Sequence, residues 1–306
     1  MKLVACALLL AQGLCAQGSI VNAVRARIAA QDLAGAEKMA RGFQTNTGPR
    51  PDLAAAYSWL ARAAMAEKNL DRADAFATEA YQMASRFLKA QKVDDDPWLP
   101  TALGAAIEVH AQVLAARGER PEALAYLREQ AKLYAATSLP ERIRKNINLL
   151  SMEGKPAPAL ETAQWIGSQR PPTLASLRGR PVLLFFWAHW CGDCKAEVGI
   201  VEGLRKTFAG QKLAVIAPTR LYGYVKGGED APAEQEKRYI EQVRGQFYTP
   251  LADVPVPLSA ANFIAYGASS TPTLVLIDRA GAVRWYHPGS ASEAELNARI
   301  RTILTR

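Results

Sequence analysis

Hydrophobic and polar positions follow two different rhythms along this chain. From about 18 to 148 the sequence reads as all-helical: alanine is dense, glycine and proline are sparse, and β-branched runs are few. Three segments resemble one another, at 29–40, 66–77 and 115–126. Each closes one helix, makes a short polar turn and reopens on a small residue, as a helical hairpin does. Small alanines at the crossing point (Ala36, Ala73 and Ala123) let two helices approach closely, and stacked hairpins share one core. The spacing is uneven: Ala36 to Ala73 is 37 residues and Ala73 to Ala123 is 50, with the insert Asp94-Asp95-Asp96-Pro97-Trp98 filling part of the gap.

Gly154, Pro156 and Pro158 break that rhythm. Beyond them, Pro181–Trp187, Lys212–Ala217 and Thr273–Asp278 are continuous apolar runs, the pattern of strands covered on both faces. Ala282–Tyr286 follows after the turn Arg279-Ala280-Gly281 and predicts a hairpin. Helical stretches at about 194–208 and 233–247 lie between strands. The last segment predicts a helix, with Ser292 and Glu295 as a capping box and Leu296, Ile300 and Leu304 on one face. The expected fold class is a two-domain α+β chain. Helical-hairpin repeats cover 17–150, and an α/β domain with a mixed central sheet covers 151–306.

Length and composition agree with two soluble domains. The chain has 306 residues, 49% hydrophobic and 22% charged. The formal net charge of +8 comes from Lys and Arg interleaved with Asp and Glu. There is no basic run and no aromatic-studded stripe, so nucleic acid is not expected as a partner. The opening is different. Lys2 precedes the apolar stretch Leu3–Ala11, and Gly13-Leu14-Cys15-Ala16 offers small residues for cleavage. This is the pattern of a signal peptide over 1–16, which implies a periplasmic or secreted product. Leu14 fits poorly with acylation of Cys15, and the mature chain is expected to have no transmembrane span.

Cysteine usage then becomes informative. Of four cysteines, Cys6 and Cys15 lie in the leader, leaving Cys191 and Cys194 as one close pair. A mature exported chain with a single close pair resembles a redox site rather than a disulfide-stapled scaffold. The pair directly follows a predicted buried strand, so it opens the next helix. The unpaired N–H groups and positive dipole end there favour a thiolate. Cys191, nearest the helix start and beside Trp190, is expected to be the nucleophile. Cys194, one turn in, would resolve the mixed disulfide. Asp193 between them would oppose thiolate formation, whereas Lys195 and His189 would favour it.

Phe186-Trp187-Ala188-x-Trp190-Cys191-Gly192-x-Cys194 is similar to the active-site signature of the thioredoxin superfamily, and Thr271-Pro272-Thr273 resembles its cis-proline loop. The resemblance implies a thioredoxin-like fold in which Thr271 and Pro272 lie against the cysteines and meet the substrate backbone, beside Trp190. Gly154–Pro158 with Leu174–Pro181 narrows the likeness to exported TlpA/ResA-like oxidoreductases, relatives of the AhpC/TSA redoxins. Thioredoxins carry a buried Asp six residues before the first cysteine, where this chain has Phe185. The ResA-like group carries a Glu three residues after the second cysteine, and Glu197 matches it, as a proton acceptor for Cys194. The helical segments resemble tetratricopeptide-type repeats, with a protein or peptide ligand as the implied partner. The segment 219–263 is longer than the likeness accounts for.

The implied function is reduction of protein disulfides, with an unidentified electron donor and no cofactor or metal. Two alternatives are a redoxin-type peroxidase and a repeat-based binding module with an accessory redox domain. The peroxidase pattern Pro-x-x-x-Thr/Ser-x-x-Cys is not met, since Leu184 and Ala188 precede Cys191 at those positions. A zinc site from His189, Cys191 and Cys194 lacks a fourth ligand.

Overall fold

A computed structural model describes residues 19–304. The proposed leader, with Cys6 and Cys15, lies outside the described residues. The chain divides into two compact units between Val113 and Leu114.

The first unit is helical. It comprises α1 (Ile20–Ala29), α2 (Leu33–Thr47), α3 (Pro51–Ala66), α4 (Leu70–Phe87) and most of α5 (Leu99–Ala116). Asp32 and Asn69 cap α2 and α4 by accepting the N–H groups of Gly35 and Arg72. Gln31, Lys68 and Gly118 all adopt left-handed backbone, each five residues before a fully buried Ala36, Ala73 or Ala123. In all three turns an N–H bonds back across the turn, Asp32 to Arg27, Asn69 to Ala64 and Glu119 to Leu114. The three similar sequences therefore share one turn geometry, a helix C-terminal motif in which the left-handed residue redirects the chain.

By length and composition alone, α5 is apolar enough to cross a membrane, which the sequence reading did not anticipate. Leu103, Ala105, Ala106 and Ile107 on it are buried in the folded chain, as in the core helix of a soluble bundle.

The second unit begins with α6 (Arg120–Leu133) and α7 (Pro140–Ser151). Compactness thus groups these helices with the sheet, while the composition break near 151 marks where helices give way to strands. The sheet strands are β2 (Val182–Phe186), β3 (Ala214–Ile216), β5 (Thr273–Ile277) and β6 (Val283–Pro288), in the order β3-β2-β5-β6. β2 runs parallel to β3 and antiparallel to β5, and β5–β6 is an antiparallel hairpin. Every residue of β2 and β5 is buried, which is why both read as unbroken apolar runs. A two-residue pair, β1 (Trp165–Ile166) with β4 (Val256–Pro257), stands apart.

Around the sheet lie α8 (Gly192–Thr207), α9 (Ala233–Phe247), α10 (Ala260–Tyr266) and α11 (Glu293–Leu304). Ser292 Oγ accepts the Glu295 N–H at the start of α11, as the capping pattern predicted. Short α10 was not legible in the sequence. It ends on Gly267, whose left-handed backbone packs against α7. A Cβ there would lie 2.5 Å from the Lys145 backbone nitrogen, so only glycine fits.

Candidate active site

The chain leaves β2 at Phe186, turns through Trp187–Trp190 and enters α8 at Gly192. Trp187 fixes this turn. Its Nε1 donates to the Ala217 carbonyl at 3.0 Å, its carbonyl accepts from Thr219 Oγ1 at 2.9 Å, and its ring meets Tyr248 at 4.3 Å. Cys191 is the N-cap of α8. Its Sγ accepts the Cys194 N–H at 3.0 Å, the place usually held by a Ser or Asp oxygen. A thiolate here gains a hydrogen bond and the positive end of the helix dipole.

Cys191 and Cys194 are joined as a disulfide with Cα atoms 5.3 Å apart. Cys191 is 3% exposed and Cys194 fully buried, while Trp190 beside them is 49% exposed. Across the cleft, the Thr271–Pro272 bond is cis and the Thr271 carbonyl oxygen lies 3.4 Å from Cys191 Sγ. In the dithiol form the Cys191 S–H can donate across that distance. Thr271 Oγ1 is buried with no hydrogen-bond partner, and Gly289 N–H donates to the Pro272 carbonyl. Residues 80 apart in sequence are thus brought together, and Phe185 is fully buried in β2.

Glu197 projects from α8 three residues after Cys194, which puts both on one helix face. It is 2% exposed. Oε1 accepts the Ala291 N–H at 3.0 Å, and Oε2 is buried without a partner. Burial pushes the carboxyl up to about 7; the Ala291 hydrogen bond opposes this, and the nearby Asp193 charge adds to it. A carboxyl with a raised pKa and a free oxygen is suited to accept a proton near neutrality. This burial sets Glu197 apart from an ordinary solvated helix residue. Asp193 itself is exposed.

His189 differs from expectation. It is 2% exposed, caged edge-on by Tyr222, Tyr224 and Tyr239 at 5.4–5.6 Å, with Nε2 3.3 Å from Glu236 Oε1. Burial lowers its pKa despite the Glu236 carboxylate, so the ring is held neutral and lends the cysteines no positive charge. Sequence reasoning missed Glu236 and these tyrosines. They lie in 219–248, and the only signal there was a cluster of tyrosines around a glycine-rich turn.

A dithiol–disulfide pair capping a helix, beneath a cis-proline loop and beside a mixed sheet, defines a thioredoxin-like redox domain. Residues 154–286 match the AhpC/TSA family. Over 149 residues the chain is 29% identical to the thioredoxin-like protein YneN of Bacillus subtilis, covering 48% of this chain and 78% of that one. It is 28% identical over 151 residues to the thiol:disulfide interchange protein DsbE of Xylella fastidiosa, covering 49% and 68%. It is 25% identical over 136 residues to the thiol-disulfide oxidoreductase ResA of Geobacillus thermodenitrificans, covering 44% and 69%. Among solved structures, a DsbE-type thiol:disulfide interchange protein from Chlorobium tepidum aligns at TM-score 0.40 and 24% identity, over 50% of this chain and 97% of that one. This part of the chain matches the AhpC/TSA family model and is similar to redoxins of the TlpA/ResA type, and it is a thioredoxin-like thiol–disulfide oxidoreductase domain.

Proposed function

We propose that the protein is an exported reductase of protein disulfides, with Cys191 as nucleophile and Cys194 as resolving thiol. The carrying observation is the Cys191 Sγ at the α8 N-terminus, held by the Cys194 N–H and facing the Thr271 carbonyl at 3.4 Å. The Cys191 thiolate attacks one sulfur of a substrate disulfide, forming a mixed disulfide and expelling the other sulfur as a thiolate. Glu197 Oε2 takes the proton of Cys194, whose thiolate attacks Cys191 Sγ. The mixed disulfide breaks, the substrate leaves as a dithiol after protonation, and Cys191–Cys194 remains oxidised. An external dithiol donor returns two electrons and two protons. Trp190, Thr271 and Pro272 line the approach to Cys191 and hold the substrate chain.

Export rests on the leader pattern over 1–16, with 17–150 as a tetratricopeptide-like helical domain and 151–306 as the redox domain. The shared turn geometry at Gln31, Lys68 and Gly118 supports reading the helices as repeats, offered to a protein partner. The test is insulin reduction with dithiothreitol as donor. Wild type accelerates precipitation of the insulin chains, and Cys191→Ser does not. Equal rates would refute the reductase reading.

A further inference from the structure

The segment 219–248 touches the cysteine loop on both of its flanks. On the side before Cys191, Tyr222 meets the Trp190 ring edge-on at 5.5 Å. On the side after Cys194, Lys195 Nζ lies over the Phe247 ring at 4.5 Å. Trp190 and Phe247 are 49% and 41% exposed, among the few large apolar side chains the described residues leave open. The segment therefore braces the exposed Trp190 ring beside the buried cysteines and supplies a second exposed ring, Phe247, under the side chain of Lys195.

What fixes the segment is buried. Glu236, on α9 and with no exposed surface, accepts the backbone N–H groups of Tyr222 at 2.6 Å and Gly223 at 2.8 Å. The same Oε1 lies 3.3 Å from His189 Nε2, and His189 is separated from Cys191 only by Trp190. A carboxylate with two backbone donors and an imidazole beside it is a compact tie between α9, the Tyr222 turn and the active-site loop. Arg220 extends the tie: its guanidinium stacks over Tyr222 at 5.0 Å and pairs with Glu141 of α7 at 2.6 Å. Lys195, Arg220 and Glu141 are the charged groups facing this cluster besides Glu236.

We propose that His189 and Glu236 form a buried latch that holds 219–248 as an aromatic wall, making the site selective for disulfides carried on a polypeptide with apolar or aromatic side chains beside the cysteine. This rests on the reductase reading and names the substrate class of the same site. His189 and Glu236 are positioning residues and do not touch substrate. A chain laid over recessed cysteines reaches Trp190 and Tyr222, and ring contacts of this kind add binding energy beyond area burial. A small aliphatic disulfide carries no neighbouring side chains to lay on these rings, so it gains little from them.

The test compares insulin with hydroxyethyl disulfide, both with dithiothreitol as donor. In Glu236→Gln and in His189→Asn, KM for insulin is expected to rise about fivefold or more, with hydroxyethyl disulfide turnover and the Cys191/Cys194 potential unchanged. The double variant should be no worse than the stronger single one, because breaking either end opens one latch. If Glu236→Gln does not fold, Tyr222→Leu leaves the buried pair in place and reads the wall directly, with the same rise in insulin KM. Equal losses on both substrates, or unchanged insulin KM in folded variants, would overturn the proposal. Wild type inactive on both substrates would instead sink the reductase reading.

Discussion

The two walls of the Cys191–Cys194 cleft each bury a glutamate, and they hold it in contrasting ways. On the α8 side, Glu197 accepts one N–H and leaves Oε2 unpartnered, so burial dominates and the carboxyl rises to about 7. On the inserted side, Glu236 accepts two backbone N–H groups and faces an imidazole. Both are almost completely buried. What separates them is the number of hydrogen-bond donors each receives. A buried carboxyl with one oxygen left free is open to a proton, whereas one held at both oxygens ties backbone segments together. Degree of burial by itself would have assigned them the same role.

The comparison breaks first if the Glu236 tie is dispensable. Glu236→Ala should destabilise the protein by roughly 3–4 kcal/mol, since two backbone donors lose their acceptor and the buried His189 ring loses the carboxylate beside it. Chemical denaturation measures this, and a loss under about 1 kcal/mol would put Glu236 outside the framework. The next effect sits on Glu197 and depends on pH. Its folded pKa of about 7 lies above the ordinary 4.5, so folding favours the protonated form. That contribution is fully present below 4.5 and is lost as pH rises to about 7, on the order of 3 kcal/mol. In denaturation curves between pH 4 and 8, wild type should show this loss and Glu197→Gln should not.

The same carboxyl sharpens the kinetic side. Glu197→Gln should slow release of substrate from the mixed disulfide by about 10- to 100-fold, with little effect on its formation, as single-turnover kinetics would resolve. The inserted side has the reverse pH sign. His189 is held below its ordinary 6.5 by burial, so its contribution is present above 6.5 and falls away as pH drops through its folded value. His189→Asn should remove that acid-side loss while leaving the Glu197 loss untouched. Smallest is a control remote in sequence: Asn69→Ala, which removes the α4 cap, should cost about 1 kcal/mol and leave turnover unchanged.

The α8 wall was legible in the sequence and the inserted wall was not. The cysteine pair, Trp190 and Glu197 lie within eight residues, so strand, helix start and helical spacing place them locally. Thr271 and Pro272 are distant, and it was the family resemblance that brought them to the site. The sheet strands were readable because each is an unbroken apolar run. The latch could not be read because its parts lie at 189, 222–224 and 236 and no fixed spacing links them. His189 accordingly looked like a cation near the thiols, when burial among three tyrosines keeps it neutral. The helical turns were found as similar sequences, but their common left-handed residue needed backbone angles, because Gln31 and Lys68 carry no glycine signal.

The most direct test of the central claim, that Cys191 attacks and Cys194 resolves, is mixed-disulfide trapping in the full chain. Reduced Cys194→Ser, incubated with insulin and quenched by acid, should accumulate an adduct that mass spectrometry places on Cys191 and that dithiothreitol dissolves. Reduced Cys191→Ser should give none. An adduct forming instead on Cys194 in the Cys191→Ser chain, with none on Cys191 in its counterpart, would contradict the account.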